Sequence, residues 1–205
     1  MITVLLATMA YAAVHSLLAS NTVKGVFQRF FDDRIFHGLY RVLYNVVAVV
    51  TFIPVWLLVQ APQNAEIVWQ FDENWKTFLL IIQGIGLVGV VIAVLQINWM
   101  RFGGVSQLLA YLLGKKLPFA AETLQTGGFY AFSRHPLYLF SLLAIWPVQV
   151  ISEGYLGLCI GISIYFVVGS FLEERRMIAD LGQDYLDYRE RVPWMLPVPR
   201  PNRQA

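Results

Sequence analysis

Charged residues are scarce in this sequence. Charged side chains make up 14% of its 205 residues, whereas 58% are hydrophobic. Soluble globular domains usually carry about 25% charged residues, so this composition excludes an ordinary soluble domain. No basic stretch with interleaved aromatic residues indicates a nucleic-acid-binding surface. We therefore expect an integral membrane protein that does not bind nucleic acid.

Residues that hold metals are also few. The sequence contains one cysteine, Cys159, and three histidines, His15, His37 and His135. A single cysteine excludes an internal disulfide and a cluster of thiolate ligands. The histidines lie far apart in the sequence without ligand spacing, so we expect no metal site.

Five uncharged runs are long enough, or nearly so, to cross a hydrocarbon core of about 30 Å. The first run lacks the basic start of a signal peptide, and we interpret it as a helix of the mature protein. The last two runs are separated only by residues 152–154, which predicts a tight antiparallel helical hairpin. We predict an all-α membrane protein, one domain over residues 1–205, with about five transmembrane helices: Ile2–Ala19, Val42–Ala61, Phe78–Met100, Pro136–Ile151 and Tyr155–Leu172.

Basic residues cluster in alternate loops between these runs. Because cytoplasmic loops are enriched in lysine and arginine, the pattern predicts an N-terminus outside and a C-terminal tail inside. Glu66, Asp72, Glu73 and Glu153 then face outward, and only Lys76 departs from the pattern. The basic residues predicted on the cytoplasmic side are Lys24, Arg29, Arg34, Arg41, Arg101, Lys115, Lys116, Arg134, Arg175, Arg176, Arg189, Arg191, Arg200 and Arg203.

The residues after the last run, EERRMIADLGQDYLDYRERVP, have the pattern of an amphipathic helix. Met177, Leu181, Tyr185 and Tyr188 recur at helical spacing, and charges occupy the other side. Gly182 weakens the middle of this helix. The pattern suits a helix that lies on the cytoplasmic membrane surface or one that covers the cytoplasmic loops. The final residues, LPVPRPNRQA, predict an extended tail.

Polar residues of the stretch FYAFSRHPLYLF stand at the start of the fourth run. A hairpin with a short turn places residues near 136 and near 172 at the same end of two neighbouring helices. Arg134 and His135 are therefore expected close to Glu173 and Glu174. Each of these residues also has an ordinary structural explanation. Arg134 could anchor a helix end at the membrane surface, His135 could be a hydrogen-bonded histidine at the interface, and the acidic pair could form a solvated helix face. Together they predict a half-polar pocket for a charged, amphipathic ligand.

The same region resembles a known family. TGGFY, SRHPLY, LEER and GQDYLDYRERVP have an order and spacing similar to the integral-membrane methyltransferases grouped around isoprenylcysteine carboxyl methyltransferase and the phospholipid methyltransferases. The resemblance covers residues 122–199. It implies a binding site for S-adenosylmethionine on the cytoplasmic side, with S-adenosylhomocysteine as the product.

Carried over position by position, the resemblance implies two sets of site residues. Arg134 and Glu174 would complete the polar network as catalytic residues. Two positions depart from the family pattern. Phe140 stands where the family often has a glycine, and Gly169 stands where the prenylcysteine enzymes have an arginine for their substrate. The missing arginine argues against a prenylated carboxylate as the substrate. The implied cofactor-binding residues are Thr123, Leu124, Gln125, Tyr130, His135, Pro136, Leu137, Tyr138 and Glu173.

A second resemblance lies in the N-terminal half. AVHSLLASNTVKG and RVLYN are similar to the start of bacterial methanethiol S-methyltransferases and of NnrU-like membrane proteins. The match includes His15, a histidine inside a predicted transmembrane helix. Such a residue is by default a candidate catalytic group, and a buried structural histidine is the alternative.

These features favour one function and leave two alternatives. We predict a multi-pass enzyme of the bacterial inner membrane that transfers a methyl group from S-adenosylmethionine to a small or lipophilic acceptor. A thiol is the first choice because a thiolate is a strong nucleophile near neutral pH. The partners are the bilayer and the acceptor, and a homo-oligomer is compatible with the sequence. The alternatives are a phospholipid or prenylcysteine-type methyltransferase and a catalytically silent NnrU-like scaffold.

Overall fold

The computed structural model describes residues 1–120 and 122–196, which form a mostly helical chain. The predicted Pro-rich tail, from residue 197 onward, lies outside the described residues. Two short 3₁₀ helices, Pro62–Asn64 and Gly128–Ala131, lie between longer elements. In chain order these are α1 (Ile2–Ala19), α2 (Asn21–Phe30), α3 (Asp33–Gln60), β1 (Ile67–Gln70), α4 (Glu73–Leu95), α5 (Trp99–Gly103), α6 (Val105–Leu112), α7 (Pro136–Ile145), β2 (Val150–Ser152), α8 (Glu153–Leu181) and α9 (Gln183–Arg191).

Four of the described helices, α1, α3, α4 and α8, are long and apolar enough to cross a membrane. The shortest, α1, has 18 residues, and a rise of 1.5 Å per residue makes it about 27 Å long. Helix α3 contains Pro54, which membrane helices tolerate because neighbouring groups can satisfy the freed carbonyl. These helices confirm the predicted helical membrane fold.

The described residues group into two compact units, each with its own packing. The first comprises residues 1–70, 98–120 and 150–165, and the second residues 71–97, 122–149 and 166–196. Helix α8 contributes its first half to one unit and its second half to the other.

The first unit is held together by close approach of its helices. Val4, Val55, Val59 and Leu158 form a buried cluster. Helix α8 approaches α1 at a glycine, since a methyl group added to Gly157 would lie 2.6 Å from the Met1 carbonyl oxygen. Strands β1 and β2 pair as an antiparallel two-stranded sheet, which is a departure from the all-α prediction.

In the second unit, α4 and α7 pack closely and antiparallel. A methyl group added to Gly86 would lie 2.4 Å from the Ala144 backbone nitrogen. Nearer the end of α4, a methyl group on Gly89 would meet the Phe140 ring. The contact therefore depends on small residues along α4, as expected where two membrane helices approach closely.

The fourth predicted transmembrane helix, Pro136–Ile151, is shorter in the structure than predicted, so its predicted end is wrong. Helix α7 ends at Ile145, because Pro147 has no backbone N–H to continue it, and the chain is extended from Val150. The segment still runs the whole length of α4. The Phe129 amide contacts Gln96 just past one end of α4, and the Gln149 side chain contacts Glu73 at the other.

The predicted amphipathic helix is two helices. Gly182, with φ +57°, separates α8 from α9. Tyr185 and Tyr188 of α9 are buried and pack against Leu124 and Met177. The sequence pattern allowed the apolar face to lie on the membrane surface or to cover the cytoplasmic loops. In the structure this face packs against protein.

Candidate functional site

The start of α7 meets the second half of α8, although residues 146–152, and not the predicted three-residue turn, connect the two helices. Pro136 begins α7, where its missing N–H costs no hydrogen bond. The Ser133 hydroxyl accepts the backbone N–H of His135 at 3.2 Å, which fixes the turn into the helix. Arg134 and His135 are thereby presented to the acidic pair of α8, and their predicted proximity to Glu173 and Glu174 is confirmed.

Glu174 is the centre of a buried charge network. Its Oε1 lies 2.9 Å from Nε of Arg134 and 3.2 Å from Nε2 of His135. Its Oε2 lies 3.4 Å from Nε of Arg189 on α9. The side chains of Arg134 and Glu174 are only 4% and 6% exposed, so this carboxylate is enclosed by cationic groups.

Glu173 has a different environment. The Tyr138 hydroxyl donates to its Oε2 at 2.9 Å, and Nδ1 of His135 lies 3.7 Å from the same oxygen. The Tyr138 ring stacks between His135 and Phe166, with ring centroids 5.4 Å and 4.7 Å away. Because 39% of the Glu173 side chain is exposed, this carboxylate is open to a ligand whereas that of Glu174 is not.

The network shifts the protonation of nearby groups. Burial alone would lower the pKa of His135, but the carboxylates of Glu173 and Glu174 outweigh it and raise that pKa above its usual value. Burial, together with the charge of Glu173, raises the pKa of Tyr130 to about 12. His135 is thus favoured as the imidazolium, and Tyr130 remains a neutral phenol.

The segment after α9 closes the network. Pro193 belongs to the quoted motif GQDYLDYRERVP, but its contact with Arg134 and the role of Trp194 were not predicted. The Arg134 backbone N–H donates to the carbonyls of Pro193 and Trp194 at 3.0 and 3.1 Å. The Arg134 guanidinium also donates to the Arg189 carbonyl, and the Trp194 indole donates to the buried Ser170 hydroxyl. The sequence Val-Pro-Trp, which directly follows the end of α9 at Arg191, was the available sequence signal.

The predicted cofactor loop lies on the same unit. The Gln96 side chain accepts the Phe129 amide at 2.9 Å, and Gly128, with φ +60°, comes so close that a side chain there would collide with Gln96. The carbonyl of Tyr130 accepts the Tyr188 hydroxyl at 2.7 Å. Among the remaining predicted residues, Thr123 is exposed, Leu124, Gln125, Tyr130, Leu137 and Tyr138 are half-buried, and His135 and Pro136 are buried.

Phe140, the departure from the family pattern, faces α4. It follows Tyr138 by two residues, a rotation of about 200° around the helix. Tyr138 accordingly contacts α8, whereas Phe140 contacts Gly89, and its ring centroid lies 4.7 Å from that of Phe129 with the two rings tilted. The bulky Phe140 ring is therefore accommodated by the small Gly89 of α4.

His15 belongs to the first unit. Its Nε2 is hydrogen-bonded to the Tyr44 hydroxyl at 2.5 Å, and Tyr11 and Tyr165 contact its ring. Sequence reasoning singled out His15 but not Tyr44, although Tyr44 lies in the RVLYN segment of the second resemblance. The structure thus joins the two segments of that resemblance through one hydrogen bond.

The family described as "Protein of unknown function (DUF1295)" matches residues 15–192, which include both His15 and the network around Glu174. The chain belongs to the DUF1295 family. The match covers most of the described chain, so the two units belong to one family pattern. No solved structure matches this DUF1295 protein.

Curated relatives of this DUF1295 protein include several bacterial enzymes. Methanethiol S-methyltransferase 1 of Bradyrhizobium diazoefficiens is 28% identical over 91% of this chain and 63% of its own length. Methanethiol S-methyltransferase of Mycobacterium tuberculosis is 28% identical over 92% of this chain and 75% of its own length. That of Pseudomonas deceptionensis is 28% identical over 98% and 74%. The chain therefore spans between 63% and 75% of the length of these relatives, and the predicted resemblance to them is confirmed.

Proposed function

We propose that this protein is a membrane methyltransferase that uses S-adenosylmethionine to methylate a thiol. The observation that carries the proposal is the pairing of a partly exposed carboxylate, Glu173, with Tyr138 beside the enclosed Arg134–Glu174 network. These residues lie in the segment that resembles membrane methyltransferases. Relatives named for methanethiol S-methylation align with at least 91% of the chain.

The residues present fit S-adenosylmethionine by their chemistry. A carboxylate open to ligands, as Glu173 is, suits the amino group or ribose hydroxyls of the cofactor. A tyrosine ring face suits a sulfonium cation, and Tyr130 is placed to offer one in this proposal. Both faces of the Tyr138 ring are covered by His135 and Phe166, so Tyr138 contributes by holding Glu173 with its hydroxyl. The cofactor supplies an electrophilic methyl group on its sulfonium sulfur. Thr123, Leu124, Gln125, His135, Pro136 and Leu137 complete the proposed cofactor-binding set.

Arg134 and Glu174 act in this proposal as positioning residues. Both side chains are buried, and the Arg134 guanidinium is committed to Glu174 and to the Arg189 carbonyl. Together with His135 they hold the start of α7 against α8, so that Tyr138 and Glu173 keep one geometry. Preorganised groups of this kind lower the cost of aligning a donor with an acceptor and exclude water.

A thiol is the proposed acceptor because its thiolate is a strong nucleophile. The thiol of free cysteine has a pKa of about 8.5, and nearby cationic groups lower the pKa of a bound thiol toward neutral pH. A small apolar thiol also partitions into the bilayer, which suits a protein with four helices able to span it. The proposed location is the bacterial inner membrane, with the cofactor residues on the cytoplasmic side.

Calorimetry with detergent-purified protein tests the cofactor part of the proposal. We expect S-adenosylhomocysteine to bind the unchanged protein, and Glu173→Ala to weaken this binding at least roughly tenfold, since a charge-assisted hydrogen bond contributes about 1.5–3 kcal/mol. Asp180→Asn removes an exposed carboxylate from the same helix and should leave binding unchanged. Failure of the unchanged protein to bind either cofactor form would end the proposal and favour the silent scaffold.

A further inference from the structure

Helix α2 is amphipathic, and its apolar side is exposed. At about 100° per residue, Val23, Val26, Phe27 and Phe30 fall on one stripe about 100° wide, and the polar residues of the helix occupy the other side. Val26, Phe27 and Phe30 are 45%, 39% and 80% exposed. In a soluble protein such a stripe would pack on the core. Here the described residues leave most of the stripe uncovered.

Helix α2 connects two helices that can cross a membrane. It follows α1 and precedes α3, so it lies at the end of both, where the chain leaves the bilayer. The Phe27 ring meets the Tyr40 ring edge-on, with centroids 5.3 Å apart. Tyr40 lies about 10 Å along α3 from Asp33, the first residue of that helix. The apolar stripe therefore points along α3 toward the membrane interior and not toward the water.

Two cationic residues flank the apolar stripe. Lys24 and Arg29 each lie about 110° from the middle of the stripe, one on either side. The Lys24 side chain is half-buried, and that of Arg29 is exposed. Cationic side chains in these positions reach the phosphates of lipid headgroups when the stripe lies among acyl chains.

Further cationic residues lie at the same end of α3. The Arg34 guanidinium donates to the Lys115 carbonyl at 3.2 Å, which brings the exposed Lys115 and Lys116 to the start of α3. The acidic residues here are Asp32 and Asp33, and Asp32 accepts the Arg34 backbone N–H as the cap of the helix. Cationic residues thus outnumber acidic ones around α2, which favours a partner with a negative charge.

We propose that α2 is an interfacial helix that binds anionic phospholipids. The apolar stripe lies among the acyl chains just below the headgroups, and Lys24 and Arg29 bind the phosphates. A zwitterionic headgroup carries a positive charge beside its phosphate, so the local excess of cationic residues selects lipids with a net negative charge. This inference does not depend on the proposed function, because it uses no residue of the proposed cofactor site.

A fluorescent label tests where α2 lies. With Cys159 changed to serine, Phe30→Cys carries an environment-sensitive nitrobenzoxadiazole group on the full-length protein in lipid nanodiscs. We expect blue-shifted emission and quenching by lipids with a nitroxide on the upper acyl chain. Gln28→Cys places the same label on the opposite side of α2 and should instead be quenched by iodide in the water. Water-like emission from the label at residue 30 would overturn the proposal.

Two nitroxide lipids test the preference for negative charge. The nanodiscs contain equal amounts of phosphatidylcholine and phosphatidylglycerol, and the nitroxide is on one or the other. Nitroxide phosphatidylglycerol should quench the label at residue 30 about twofold more strongly than nitroxide phosphatidylcholine. Changing both Lys24 and Arg29 to glutamine should remove this difference. Lys76→Gln, which removes an exposed cation from α4, is the control and should retain it.

The salt dependence gives a second test that needs no charge variant. High salt screens exposed charges, so it should reduce the preference for phosphatidylglycerol. Equal quenching by both lipids at low salt, a preference that persists at high salt, or one that survives loss of Lys24 and Arg29 would overturn the anionic-lipid site. Failure of the protein to bind S-adenosylhomocysteine would instead refute the proposed function and leave the lipid result standing.

Discussion

Glu173 and Glu174 are adjacent in the sequence but have different surroundings. Consecutive helical residues differ by about 100° around the axis, so one carboxylate points at Arg134 and the other at Tyr138. Glu174 balances buried cations, and removing it would leave the Arg134 guanidinium without its counter-charge. Glu173 retains an exposed face. A substitution at Glu174 should therefore act through stability, whereas one at Glu173 should act through ligand binding.

The protonation of His135 makes stability depend on pH. Its pKa in the folded protein is raised above the ordinary 6.5 by Glu173 and Glu174, the charged groups that face it, while the Tyr138 ring covers one side. The folded state therefore holds this proton more tightly than the unfolded state does. The resulting stability is complete below about pH 6.5 and is lost as the pH rises through the folded-state pKa.

We expect the unfolding midpoint of the purified protein to fall as the pH is raised from 6 to 9. His135→Gln removes the titrating group, so its midpoint should change less over the same range. His37→Gln removes a histidine that lies outside this network, so its unfolding midpoint should change with pH as that of the unchanged protein does. An equal fall in His135→Gln and the unchanged protein would show that another group controls the pH dependence.

At the scale of elements, the contact between α4 and α7 leaves no room for a side chain at Gly86. A methyl group on Gly86 would lie 2.4 Å from the Ala144 nitrogen, and backbone cannot give way as a flexible side chain can. Gly84 lies half a turn earlier on the same helix and has nothing within 4 Å of the added methyl position. The two positions therefore form a matched pair.

Gly86→Ala should destabilise the protein by about 1–3 kcal/mol, the usual cost of overpacking. Gly84→Ala should be neutral or stabilising, because alanine favours a helix over glycine by about 1 kcal/mol. Thermal unfolding of both variants under identical conditions measures the difference. Equal midpoints would show that α7 can move away from α4 without cost.

Local patterns were sufficient to predict some elements and not others. The meeting of Arg134 and His135 with the acidic pair followed from the short connection between two apolar runs. The pairing of β1 with β2 did not, because it joins residues such as Ile67 and Ser152 that are distant in sequence and carry no strong strand pattern. Arg189, Trp194 and Tyr44 were missed for the same reason: their roles depend on which distant groups they contact.

At the scale of the whole molecule, one segment besides the four long helices is comparable in length to α4. Helix α4, with 23 residues, is about 34 Å long. Residues 129–149 extend along its whole length, although α7 itself has only ten residues. The ten-residue helix and the irregular chain on either side of it together match the length of α4.

The orientation of the chain in the membrane is the remaining prediction. Lys116 stands in a basic loop and Glu66 in an acidic one, and both are exposed. Because basic loops stay in the cytoplasm, we expect Lys116 inside and Glu66 outside. With the buried Cys159 changed to serine, a membrane-impermeant maleimide should label Glu66→Cys in intact bacterial cells, and Lys116→Cys only after permeabilisation. The reverse pattern would place the basic loops outside and would move the proposed cofactor residues away from the cytoplasmic supply of S-adenosylmethionine.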